Sequence, residues 1–142
     1  MSIKSLVLAT SAVVLFSGVP TAQAASKPYV FSVADFMAKE ENKSALDGFQ
    51  FVWGKSASGS QIGDVSTGGR PANGFHKDIQ ASCERALLNS LIAMKDLAIS
   101  KGASKVTGIH SSQGTDFNPA TEYVCYKNKF VAKTPLNGTA SN

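Results

Sequence analysis

Chemistry-bearing residues are scarce in this chain. Its 142 residues include two histidines, two cysteines and one tryptophan. No C-x-x-C pair is present, so the motif that lowers a thiol pKa in redox proteins is missing. There is no G-x-x-x-x-G-K-[ST] loop for a nucleotide phosphate and no G-x-S-x-G elbow for a hydrolytic serine. The fourteen Lys and Arg outnumber ten Asp and Glu, but they are scattered and no aromatics interleave with a basic cluster. That balance suits weak attraction to anionic surfaces rather than nucleic-acid recognition. Beyond residue 24 no stretch approaches the roughly 20 apolar residues a spanning helix needs.

The N-terminus supplies the first positive signal. Lys4 forms a short basic region, and Leu6 to Val19 is an almost unbroken apolar run. Pro20 ends it, and Ala22-Gln23-Ala24 has the small-x-small pattern of a signal-peptidase site. Residues 1–24 therefore read as a cleavable signal peptide, cut after about Ala24, and residues 25–142 as one exported domain. No cysteine lies at the end of the run, so no lipid anchor is expected there. The mature protein is expected to be soluble in the periplasm or secreted. Its formal charge falls from +4 to +3 with the loss of Lys4.

Cys83 and Cys125 both lie in the mature part. An even count in an exported protein favours a structural disulfide. Two buried free thiols or a redox pair are the alternatives.

Hydrophobic periodicity then outlines the fold. Tyr29-Val30-Phe31 is strand-like, and Ser32 can cap a brief helix carrying Val33, Phe36 and Met37. Lys39 to Lys43 reads as a solvated face or turn. Phe49, Phe51 and Trp53 alternate along a second strand and give it an aromatic core face. Lys55 to Gly74 is a long polar connection, with a short strand around Ile62 to Val65. The clearest element is a helix from the N-cap Asp78 to about Ser100. Ile79, Cys83, Ala86, Leu87, Leu91, Met94, Leu97 and Ala98 form its apolar stripe, and Gly102 ends it. Strands follow at Lys105 to His110, Glu122 to Tyr126 and Phe130 to Leu136, the last broken by Pro135. Tyr123 and Cys125 share one face, Val124 the other. Asn137 to Asn142 reads as a frayed tail. The expected class is α+β: a small, mainly antiparallel sheet with one long helix packed on one face, plus a short N-terminal helix.

Residues Cys83 to Gly138 also resemble a family of small exported bacterial proteins. The resemblance runs through Cys83-x-x-Ala86 and the leucine-rich helix. It continues through Gly102-Ala103-Ser104-Lys105-Val106-Thr107-Gly108-Ile109-His110-Ser111, Glu122-Tyr123-Val124-Cys125 and Leu136-Asn137-Gly138. Those proteins often carry the name "excinuclease ATPase subunit-like", yet this chain holds no ATP-binding loop and no zinc-finger cysteine set. More distantly, the helix and the Gly-Ala segment after it are similar to YbjQ-type domains. They are also similar to the periplasmic domain of the outer-membrane lipoprotein sensor of the Rcs pathway. The first likeness implies self-assembly, the second disulfides and protein–protein signalling. Lys105 stands where a small residue is usual, and the sensor's lipid-anchor cysteine is absent.

Three residues outside the cysteines are candidate ligand contacts. Arg70, in the long loop, could pair with a carboxylate or phosphate. His76 and His110 could join the cysteines in a metal site, provided the sulfurs were free. Asp64, Asp116 and Glu122 are acids with no evident partner. No catalytic residue and no cofactor is assigned. The expected function is a non-enzymatic envelope module that binds a partner protein or itself. The alternative is a small-ligand or metal-binding periplasmic module, and a hydrolase would need His110 and an acid in one pocket.

Overall fold

The computed structural model describes residues 25–54 and 59–142. The signal-peptide reading of residues 1–24 and the loop start at 55–58 lie outside the described residues. The elements are β1 (Lys27–Ser32), α1 (Val33–Ala38), α2 (Glu40–Leu46), β2 (Gln50–Trp53), β3 (Gln61–Thr67), β4 (Ala72–Asn73), α3 (Ile79–Ser100), β5 (Lys105–Ser111), β6 (Glu122–Lys127), β7 (Val131–Lys133) and β8 (Leu136–Ser141). The α+β class holds, with the long helix packed on strands. Those strands divide into two sheets of order β1-β6-β7-β4 and β2-β5-β8-β3. Among the described residues only the β2–β5 pairing is parallel.

Helix α3 is organised as its sequence requires. The Asp78 carboxylate accepts from the Ala81 N–H at 3.0 Å, and Gly102 adopts φ +79° just past the end. Cys83, Ala86, Leu87, Leu91, Met94 and Ala98 are fully buried. Ser82, Leu88, Ser90 and Ala93 are buried too, because the helix lies across strands of both sheets. Ile79 and Leu97 depart from the expected stripe and stay exposed. Both point to the core side by angle but sit in the first and last turns.

Cys83 and Cys125 form a disulfide, with Cα atoms 5.6 Å apart. It ties the start of α3 to β6. Tyr123 and Cys125 share the helix-facing side of β6 as expected. Val124, on the other face, is also buried. The segment after β5 covers it: the Ser111 hydroxyl accepts from the Val124 N–H at 2.8 Å, and Gly114 lies against its methyls.

Three readings need correction. Lys39 to Lys43, read as a solvated face or turn, is not a turn: Glu40–Leu46 forms α2, and the charges are its solvated face. Leu46 and Asn42, four residues apart, face inward while the charges face water. The Asn42 amide donates to the Phe36 carbonyl at 2.9 Å, satisfying the end of α1. The charge run thus conceals one amphipathic turn.

The C-terminus is not a frayed tail either. Residues Leu136–Ser141 form β8, bonded on both sides between β5 and β3. The stretch Phe130 to Leu136 is not one strand: Thr134-Pro135 carries the chain from β7 in one sheet to β8 in the other. β8 escaped notice because its residues are small and lack apolar alternation. The small size has a cause. A Cβ on Gly138 would lie 2.8 Å from Val106 Cγ1 and 3.0 Å from Met94 Cε. Asn142 extends the zipper, with its backbone exchanging two hydrogen bonds with Ser60.

Candidate functional site

A groove of about 710 Å³ lies between α2, β4 and the first half of α3. One wall is α2 with its preceding Lys39. The opposite wall is Pro71, Ala72 and Asn73, the end of the long polar loop. The floor is the exposed flank of α3. The Asn89 amide donates to the Pro71 carbonyl at 3.3 Å and holds that loop to the helix.

Charges in the groove are unevenly satisfied. Glu84 is half-buried and fully engaged: Lys39 Nζ donates to Oε2 at 2.6 Å and Gln80 Nε2 donates to Oε1 at 3.2 Å. The hydrogen bond to Glu84 raises the Lys39 pKa above its ordinary value. Lys77 and Arg85 line the same groove, and neither forms an ion pair among the described residues. Glu41 at the rim is the groove's other carboxylate. The site therefore offers two unengaged cations beside small apolar surfaces of Ala45, Ala72 and Leu88. Such a surface favours an acidic or carboxylate-bearing segment.

The structure separates the residues singled out in the sequence. Arg70 is exposed between β3 and β4, and its side chain lies in a shallow depression with Asn89, Ile92 and Asp96. His76 sits on the turn after β4, its ring 4.0 Å from that of Phe75. His110 lies on β5, its Nδ1 2.8 Å from the Gly108 carbonyl. Both sulfurs are consumed by the disulfide. Among the described residues no three His, Cys, Asp or Glu side chains are grouped to hold a metal.

One pairing relevant to acid–base chemistry does occur. Asp64, Ser66 and His110 line a common open depression on the β3-β8-β5 surface. The Ser66 hydroxyl donates to Asn137 Oδ1 at 2.7 Å. Its bonded partner is thus an amide, not the imidazole a nucleophilic serine needs.

Sequence reasoning missed Lys77, Glu84 and Arg85. On a helical wheel Glu84 and Arg85 are simply the polar flank of α3, and Lys77 sits in the turn before it. Only the placement of α2 beside that flank makes it a groove. A usable signal was Glu84-Arg85 adjacent to the buried Cys83, where a charged pair borders a covalent anchor. Comparison with known protein families, curated proteins and solved structures gives no match.

Proposed function

We propose that this is a non-enzymatic envelope protein that binds an acidic segment of a partner protein in the groove between α2 and α3. It reaches the periplasm or the exterior through a signal peptide cleaved after about Ala24. The groove is the observation that carries the reading: Lys77 and Arg85 face it unengaged, while Glu84 is already bonded to Lys39 and Gln80. A rigid base supports the assignment, since the disulfide fixes α3 one residue before Glu84. Export is supported by the same disulfide, which persists in oxidising compartments. Among the described residues no helix is long and apolar enough to cross a membrane.

The test is a cross-linking pull-down from envelope extract, comparing the wild type with Lys77→Glu/Arg85→Glu. The reading expects a partner recovered by the wild type and lost with the charge-reversed protein. Equal recovery by both would move the interface elsewhere. Recovery of nothing, from a protein that stays monomeric at high concentration, would end the interaction reading. Mass spectrometry of the exported protein checks the start at Ala25.

A further inference from the structure

Apolar surface is held in the open at one end of the domain. Phe130 is 58% exposed and Phe75 is 43% exposed. They occupy two different turns, yet their rings stack at 5.7 Å with planes 15° apart. Ile79, at the start of α3, is exposed close by in sequence.

This exposure is built into the backbone. The Gly74 N–H donates to the Phe130 carbonyl at 2.9 Å, and Lys127 Nζ donates to the Gly74 carbonyl at 3.2 Å. Asn128 Oδ1 accepts from the Phe130 and Val131 N–H groups at 2.8 and 2.9 Å. Asn73 Oδ1 accepts from the Phe75 N–H at 3.0 Å. The two turns are thus pinned to each other through their backbones. The ordering cost of presenting them is met within the fold itself.

Lysine side chains stand beside this stack. Lys129 Nζ lies 5.8 Å from the Phe130 ring centroid. Lys27, Lys127 and Lys129 line a hollow of about 310 Å³ with Ala25, Tyr29 and Ile79. The nearest carboxylate in sequence, Asp78, is turned to its own helix, where it caps Ala81.

We infer that this tip docks peripherally on an anionic lipid bilayer. Phe75 and Phe130 enter the interfacial region, and Lys27, Lys127 and Lys129 lie against the phosphates. Stacked aromatics at turn tips, ringed by lysines, combine interfacial burial with attraction to anionic headgroups. The inference is independent of the groove between α2 and α3.

Vesicle co-flotation of the purified exported protein tests it, with its N-terminus first defined by mass spectrometry. Vesicles of phosphatidylcholine mixed with phosphatidylglycerol are compared with pure phosphatidylcholine. Three proteins are used: wild type, Phe75→Ser/Phe130→Ser and Lys129→Glu. Near-ultraviolet circular dichroism verifies that each is folded. The expected result is wild-type flotation on the anionic vesicles only. The phenylalanine pair should cut partitioning at least about tenfold, and Lys129→Glu at least about fivefold, the change that ~1 kcal/mol per surface lysine corresponds to. Any segment of residues 1–24 that remains is common to all three proteins and leaves these ratios intact. Equal binding to both vesicle types, or flotation unchanged in the phenylalanine variant, overturns the inference. So does a dimer that the phenylalanine variant abolishes without any wild-type flotation, because the tip would then be covered by a second copy.

Discussion

Breaking the Cys83–Cys125 bond is the most informative perturbation of the fold. The two residues are 42 apart, so the bond closes a loop of that order in the unfolded chain. Loop-closure entropy for such a length corresponds to about 4 kcal/mol at 25 °C. Unfolding entropy near 2.1 cal/mol/K per residue, over the roughly 118 residues of the domain, converts this to a fall in Tm of about 16 °C. The variant Cys83→Ala/Cys125→Ala also empties space at two fully buried positions, so its loss should be at least as large as that of the reduced wild type. Scanning calorimetry of oxidised, reduced and double-alanine protein makes the comparison. A fall of only a few degrees in both would refute the reasoning, because the crosslink would then hold together parts that packing already holds. A large fall in the variant with little effect of reduction would assign the stability to packing at the two sites, not to loop closure.

Two further outcomes follow from the core. Burial pushes the Tyr123 phenol well above its ordinary pKa, and the Glu84 and Asp35 carboxylates add to the shift. The folded state therefore favours the protonated phenol. Its contribution is complete below pH ~10, the unfolded value, and declines as pH climbs beyond that. Lys39, raised by its bond to Glu84, changes in the same direction. Urea midpoints of the wild type should thus fall above pH ~10 more steeply than those of Tyr123→Phe; parallel slopes would remove Tyr123 from the alkaline transition. At β8, Gly138→Ala should cost about 1–3 kcal/mol by overpacking against Val106 and Met94, read from the urea midpoint. An unchanged midpoint would mean that Met94 swings aside freely.

How far the fold was legible depended on periodicity. Helix α3 was readable end to end because a cap, a stripe and a terminal glycine agree. β6 was readable because Tyr123 and Cys125 alternate with Val124. α2 was hidden because a single buried turn, Asn42 and Leu46, leaves too short a repeat to register among charges. β8 was hidden because a strand squeezed between two neighbours and a helix is built from Gly, Thr, Ala and Ser, which read as a tail. The groove was illegible for a related reason. Its cations come from α3 and the turn before it, and its walls from α2 and the loop at Pro71, so no local spacing records it.

What the sequence determined alone is therefore local and covalent. It held the α+β composition, the bounds of the long helix and the two cysteines available to pair. Tertiary structure decided that 5.6 Å separates their Cα atoms, that the strands split into two sheets, and that α2 lies beside the polar flank of α3. It also brought Phe75 and Phe130, 55 residues apart in the numbering, into one exposed stack. The physical reason is the range of the interactions. Caps and stripes act over three or four residues, whereas sheet register and surface constellations depend on which distant small residues let two backbones approach.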